Sequence, residues 1–136
     1  MKSYSCHKIA RGQAEGKVVI SSDPICFYLV DPESGVVIER DHDLEGVNIA
    51  NKIIIFPGGK GSSVVQADGL YQLQLQDNAP CGMIIKYPDT VLVATSIIMD
   101  IPLVDRVEED FYSAVEIGDL IELNADQESI KITDKS

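Results

Sequence analysis

The sequence predicts a strand-rich α/β or barrel-like domain that spans residues 1–136. Most of its apolar runs are short, rich in β-branched residues and bounded by Gly, Pro or Asp, which is typical of strands. One longer segment, residues 62–75, mixes apolar and polar residues as a surface helix does. Apolar residues make up 45% of the chain and charged residues 24%, a balance that favours one globular core.

Five strand-like segments come first along the chain. Residues 5–9 alternate weakly, and residues 17–21 have a β-branched centre. Residues 25–30 and 36–39 flank a turn that contains Pro and Gly, so they predict a hairpin. Residues 53–56, Ile-Ile-Ile-Phe, predict a buried strand that ends at a glycine-rich loop.

The second half of the chain begins with the helical segment. A helix over residues 62–75 is expected to break near Gly69, because glycine is a poor helix former. Three apolar runs then predict buried strands: residues 81–86, 90–94 and 101–104. Two alternating segments, residues 115–123 and 129–133, predict a closing hairpin.

Composition excludes several classes of function. The formal net charge of −11 argues against nucleic-acid binding, which needs clustered Lys and Arg. No apolar run approaches the ~18 residues of a membrane span, and no signal peptide is evident, so a cytoplasmic protein is expected. The three cysteines, Cys6, Cys26 and Cys81, are odd in number and widely spaced, which indicates free thiols rather than a disulfide framework or a zinc site.

The stretch Pro-Gly-Gly-Lys-Gly-Ser-Ser, residues 57–63, is the strongest candidate for a site. Its three glycines allow close approach of a ligand, and a helix beginning at Ser62 or Ser63 would present free backbone N–H groups to an anion. The spacing matches neither a P-loop nor the dinucleotide fingerprint. A merely structural strand-to-helix turn remains an alternative, and Lys60 fits either an anion contact or a solvated loop lysine.

Other candidate residues carry weaker signals. Ser62 has no nucleophile-elbow context and no recognisable base, which disfavours a serine hydrolase. His42 lies between two aspartates, so a metal ligand, a catalytic acid and an ordinary surface histidine all stay open, and His7 offers no more. An acidic cluster fits a solvated helix N-terminus better than a cation site: Asp105, Glu108, Glu109 and Asp110.

Several motifs together resemble the small subunit of the aconitase X family. They are Ile-Cys-Phe-Tyr at 25–28, Asp-Pro-x-Ser-Gly-Val-Val-Ile at 31–38, the Pro-Gly-Gly-Lys-Gly-Ser-Ser stretch, Ala-Pro-Cys-Gly-Met-Ile-Ile at 79–85 and Ile-Pro-Leu-Val at 101–104. The resemblance covers about residues 11–107. It implies a swivelling β/β/α domain similar to that of aconitase.

The resemblance also implies an activity shared with a second chain. A separate large subunit would carry an iron-sulfur cluster of the 4Fe-4S type, and the heterodimer would act as a hydro-lyase. Archaeal members dehydrate mevalonate 5-phosphate in isoprenoid synthesis, and bacterial relatives dehydrate hydroxyproline. A swivel module that binds an anion without catalysis is the alternative from a different class of function.

Within this family likeness, Ser62 takes the role of proton acceptor, as the matching serine of the aconitase loop does. The residues implied in substrate binding are Gly59, Lys60, Gly61 and Ser63. No metal is expected on this chain. One departure stands out, because aconitase carries an arginine two residues after its serine and Val64 occupies that position here.

Overall fold

The computed structural model describes residues 2–136 as an α/β structure dominated by strands. The strands within this range are β1 (Ser3–Ser5), β2 (His7–Ala10), β3 (Gln13–Ile20), β4 (Ile53–Phe56), β5 (Gly82–Ile85), β6 (Leu103–Asp105), β7 (Leu120–Asn124) and β8 (Ser129–Asp134). The helices are α1 (Ser63–Leu75), α2 (Thr90–Ile98) and α3 (Glu109–Ala114), with a 3₁₀ turn at Phe27–Leu29. Within the described range, none of the helices has the length and apolar character needed to cross a bilayer.

All eight strands belong to one sheet with the order β1-β8-β7-β3-β4-β5-β6-β2. Strands β3 to β6 run parallel, and the remaining pairings are antiparallel. The edge strands β1 and β2 are separated in the chain by Cys6 alone, so the sheet must curl to bring its two edges together. The core is therefore barrel-like in curvature, while no ladder between β1 and β2 closes the sheet over the part of the chain described.

Side chains of the parallel strands alternate between two cores. On β4, Ile54 and Phe56 join the core beneath α1 and α2, whereas Ile53 and Ile55 join the core shared with the antiparallel strands and α3. Alternation of this kind follows from the two-residue period of a strand. The result is three layers, antiparallel strands, parallel strands and helices, as the swivelling β/β/α expectation requires.

The predicted break in helix α1 is wrong, because α1 continues without interruption from Ser63 to Leu75. Gly69 is buried in the middle of the helix, and a Cβ atom there would lie 2.3 Å from the backbone nitrogen of Tyr28. Glycine at this position lets the helix pack directly on the backbone of the 3₁₀ turn. That turn also corrects the predicted strand at 25–30, which keeps only isolated bridges at Ile25 and Val30.

The predicted strand at 90–94 is also wrong, since these residues begin helix α2. Asp89 is the N-cap residue, and its Oδ1 accepts a hydrogen bond of 2.9 Å from the N–H of Leu92. A short run of Val, Leu and Ala has no periodicity that distinguishes a buried strand from a helix. The cap favours the helix. The first N–H groups of a helix have no partner within the helix, and the Asp89 side chain accepts one of them.

Apart from residues 36–39, the other strand predictions hold with shifted ends. The segment 5–9 is divided between β1 and β2, and residues 17–20 form the second half of β3. The predicted strand 36–39 is wrong: Val36 bridges Asn48 and Val37 bridges Val30, each as an isolated pair, so the segment pairs in two directions instead of forming a regular hairpin with 25–30. The closing hairpin is confirmed as β7 paired antiparallel with β8, although its first strand begins only at Leu120.

Asp119 binds the C-terminal residues through hydrogen bonds, next to this hairpin. Its buried carboxylate accepts hydrogen bonds from Lys135 Nζ at 2.5 Å, from the N–H of Ser136 at 2.9 Å and from the N–H of Glu116 at 2.8 Å. Burial by itself would raise the pKa of Asp119, but these donors and the charge of Lys135 outweigh it and lower the pKa from 3.8 to about 2. Folding therefore favours the ionised carboxylate.

Acid should weaken the fold through Asp119. A group whose folded pKa is lowered contributes stability above its unfolded pKa, and this contribution is lost as the pH falls from 3.8 through about 2. We expect a loss of about 2 kcal/mol in the free energy of unfolding over that window. Urea titrations at stepped pH should show this slope and Asp119→Asn should flatten it, whereas Asp134→Asn, at an exposed position, should retain it. An unchanged slope in Asp119→Asn would contradict the assignment.

Candidate active site at the glycine-rich turn

The glycine-rich turn directly follows strand β4 and is hydrogen-bonded to the segment at Ile25. The N–H of Ile25 donates to the carbonyl of Gly58 at 3.0 Å, and the N–H of Lys60 donates to the carbonyl of Ile25 at 3.1 Å. These two bonds make a short parallel bridge between Ile25 and Gly59. The turn is thus held on both sides before the chain enters helix α1.

The three glycines are required by close contacts within the protein itself. A Cβ on Gly58 would lie 2.8 Å from the carbonyl oxygen of Tyr87, and a Cβ on Gly59 would lie 2.2 Å from Oε1 of Gln66. Gly61 has a φ of +104°, a conformation that residues with a side chain rarely adopt. The glycines therefore set the path of the turn, in addition to any approach they give a ligand.

Ser62 lies at the N-cap of α1, as the sequence predicts, and Ser63 is the first helical residue. The Ser62 hydroxyl oxygen accepts the N–H of Val65 at 3.4 Å, and its side chain is exposed. Over residues 2–136, the N–H groups of Ser62, Ser63 and Val64 find no acceptor in the protein. A 13-residue helix therefore presents its positive end and a hydroxyl group to solvent at the same point.

Lys60 is engaged in an ion pair. Its ammonium group lies 2.5 Å from Oε2 of Glu39, which is mostly shielded from solvent. A substrate anion would have to share or displace that carboxylate to reach Lys60. The sequence contains no signal for this pair, because the two residues are 21 positions apart and lie outside any common motif.

His42 has a structural role. Its Nδ1 accepts the N–H of Leu44 at 2.9 Å, which leaves the proton on Nε2 to donate to the carbonyl of Pro24 at 2.8 Å. With both ring nitrogens engaged and the side chain buried, His42 is no free metal ligand or acid. His7 instead contacts the buried Asp105 at 2.7 Å, and the remaining acidic cluster opens helix α3, as expected for a solvated helix N-terminus.

The cysteines do not suit an iron-sulfur cluster. All three are free, and over the described range no three His, Cys, Asp or Glu side chains come together as a metal site. Burial, with the charges of Glu128 and Asp105, raises the pKa of Cys6 to about 11, and burial raises the pKa of Cys81. Cluster ligation needs thiolates, so the donor set present here does not fit the group.

A cavity of about 420 Å³ lies beside the turn at the carboxyl ends of β3, β4 and β5. It is lined by Ser21, Ser22, Pro57, Lys86, Tyr87 and Tyr112, among others. The ammonium group of Lys86 lies 4.7 Å from the ring centroid of Tyr112. Open α/β sheets bind ligands at this edge. Apart from Pro57, the sequence analysis does not identify these residues. The available signal is that several of them directly follow parallel strands, whose carboxyl ends meet at one edge of the sheet.

An exposed apolar groove between α1 and α2 begins next to Ser62. Val64 is 76% exposed and Ile98 is 79% exposed, and the exposed Tyr71 lines the same groove. Large apolar side chains this exposed, and gathered in one place, are characteristic of an interaction surface or a ligand-binding groove. Val64 therefore stands in this groove where aconitase has its arginine.

Comparisons with known proteins agree on one family. A family model described as "Aconitase X swivel domain" matches residues 3–132. The phosphomevalonate dehydratase small subunit of Methanosarcina mazei is 41% identical over 125 residues, 91% of this chain and 86% of that protein. The protein of the same name from Methanococcoides burtonii is 37% identical over 131 residues, covering 96% of this chain and 95% of that protein.

A solved structure extends the likeness to three dimensions. The crystal structure of Thermococcus kodakaraensis aconitase X in its holo form matches with a TM-score of 0.87 at 36% identity. The match covers 98% of this chain and 100% of that chain. Sequence and fold therefore point in the same direction over nearly the whole described range.

Proposed function

The chain belongs to the aconitase X swivel domain family, and we propose that it is the small subunit of a dehydratase acting on (R)-5-phosphomevalonate. The product would be trans-anhydromevalonate 5-phosphate, in an archaeal-type mevalonate route to isoprenoids. Residues 1–136 would act as one swivelling domain in the cytoplasm. The names of the relatives support the substrate, and the exposed hydroxyl of Ser62 at the N-cap of α1 is the observation that supports the chemistry.

Dehydration removes a proton from one carbon and a hydroxide from its neighbour. Ser62 is the proposed acceptor of the proton, and the iron-sulfur cluster assigned to the large subunit would act as the Lewis acid that takes the hydroxide. A serine alkoxide is a strong base that needs stabilisation of its negative charge. The N–H of Val65, which donates to the Ser62 hydroxyl oxygen at 3.4 Å, and the positive end of α1 would supply it, and the N–H groups of Ser63 and Val64, which have no acceptor within residues 2–136, lie beside them. Substrate oxygens would bind along Gly59, Gly61 and Ser63, with Lys60 contributing once its contact with Glu39 is exchanged.

The site is proposed to be complete only when a large subunit docks. Ser62 faces solvent, and the cysteines of this chain do not suit a cluster, so the 4Fe-4S group is assigned to the partner. The apolar groove that starts at Val64 is continuous with the Ser62 site, and we assign it to the same partner. Covering that groove would also exclude water from the reacting atoms.

Two alternatives are set against this proposal. A hydroxyproline dehydratase subunit would share the fold and the serine, but the names of the relatives favour phosphomevalonate. A non-catalytic swivel module would use the same helix end to bind an anion. The first alternative differs from the proposal in the substrate that is dehydrated, and the second differs in having no turnover at all.

Reconstitution tests the proposal directly. The chain mixed with a cluster-bearing large subunit of the family should form a heterodimer on gel filtration and convert 5-phosphomevalonate, with the anhydro product followed by proton NMR. Either chain alone should be at least about a hundredfold less active, since each lacks part of the catalytic machinery. If the pair dehydrates hydroxyproline and not 5-phosphomevalonate, the proposed substrate is wrong. If an assembled pair binds phosphate and turns over neither substrate, the non-catalytic module is favoured.

A further inference from the structure

Gln66 is a buried polar residue directly beneath the glycine-rich turn. It lies in the first turns of α1, and only 6% of its surface is exposed. Its side-chain Nε2 donates a hydrogen bond of 2.9 Å to the carbonyl oxygen of Gly61. The amide orientation is fixed by this contact, because the opposite orientation would place Oε1 against another acceptor.

The contact determines which way the next peptide N–H group points. The peptide between Gly61 and Ser62 is trans, and in a trans peptide the C=O and N–H bonds point in opposite directions. Since Gln66 holds the Gly61 carbonyl toward the protein interior, the N–H of Ser62 is directed outward to the site. We propose that Gln66 is a positioning residue that orients the Ser62 backbone amide, and with it the Ser62 hydroxyl, for catalysis.

The arrangement around Gln66 is unfavourable for stability, which argues against a merely structural role. Within residues 2–136, no donor reaches Oε1 of Gln66, and none reaches Oδ2 of Asp89. Both oxygens lie within 3.4 Å of the point that a Cβ on Gly59 would occupy. Two unpaired acceptors crowded against one turn destabilise a folded protein, whereas an apolar side chain of the same volume would not.

Gly59 makes this packing sterically possible. A Cβ atom at that position would lie 2.2 Å from Oε1 of Gln66, so any other residue would push the amide away from Gly61. The hydrogen bond between Gln66 and Gly61 therefore requires glycine at position 59. The inference rests on the proposed function, in which the Ser62 site performs the dehydration.

Gln66→Met tests the inference, because methionine keeps the volume of glutamine and removes both the donor and the unpaired acceptor. We expect the melting temperature to change little, because the lost hydrogen bond to Gly61 offsets the removal of the unpaired acceptor, while kcat of the reconstituted pair falls by at least about tenfold with little change in KM. In the isolated chain, the amide resonance of Ser62 should shift in proton–nitrogen NMR spectra. The matched control is Gln72→Met, at an exposed position of the same helix, which should leave all three readouts unchanged.

A second variant protects the test against misfolding. Gln66→Leu also lacks the donor and the acceptor and adds no charge to this buried position, so it should lower kcat and shift the Ser62 resonance in the same way. Wild-type kcat and an unmoved Ser62 resonance in a folded variant would overturn the inference. If Ser62→Ala keeps its activity, the proposed role of Ser62 as proton acceptor fails instead, and the amide resonance of residue 62 still reports whether Gln66 orients that amide.

Discussion

Replacing Ser62 with alanine is expected to lower the turnover number of the reconstituted dehydratase by about 10²- to 10⁴-fold, the contribution typical of a positioned general base. The substitution removes the hydroxyl oxygen that lies at the N-cap of α1, where the helix end stabilises negative charge. The pair should still assemble, because the apolar groove beginning at Val64 is unchanged. Steady-state kinetics of the variant pair measures the turnover number, and gel filtration measures its assembly.

Two matched variants separate catalysis from capping. Loss of the cap in Ser62→Ala should destabilise the isolated chain by about 1 kcal/mol, and Ser62→Asn should keep the cap without restoring activity. Ser63→Ala removes the neighbouring hydroxyl, which is placed in substrate binding and not in proton transfer, so it should raise KM while keeping most of the turnover number at saturating substrate. Dehydration by Ser62→Ala at the wild-type rate would remove Ser62 from the mechanism.

Much of the fold around the site follows from local sequence. The strand Ile53–Phe56 is a continuous apolar run closed by Pro and Gly, and the helix that follows begins at a serine with the right capping chemistry. Both features are encoded within a few residues, so the sequence predicts them. Helix α2 is different, because its apolar residues satisfy a buried strand equally well and only Asp89, just ahead of it, favours a helix.

The site is predictable only where its chemistry is local. Ser62 was placed correctly at the helix N-cap, and its role in catalysis stays a prediction. The ion pair of Lys60 with Glu39, the contact of Gln66 with Gly61 and the position of Lys86 in the neighbouring cavity all depend on how separate elements pack. Tertiary contacts of this kind leave no periodic trace in the sequence, so composition and spacing do not reveal them.

Gly69→Ala should destabilise the protein by about 3 kcal/mol or more, although propensity alone predicts a gain of about 1 kcal/mol for alanine over glycine inside a helix. The added Cβ would lie 2.3 Å from the nitrogen of Tyr28 and 2.5 Å from the carbonyl carbon of Phe27. Both are backbone atoms, so no side-chain rotation relieves the overlap. Either α1 or the 3₁₀ turn must move, and the buried Phe27 and Leu70 would lose their packing.

The sign of the change distinguishes the two expectations. Urea denaturation of Gly69→Ala should show a lower free energy of unfolding, and Gln72→Ala, at an exposed position of the same helix, should stay within about 0.5 kcal/mol of wild type. A more stable Gly69→Ala protein would mean that α1 does not pack on the Phe27–Leu29 turn. Because α1 carries Ser62 at its N-terminus, a displaced helix should also lower turnover in the reconstituted pair, which links this packing contact to the active site.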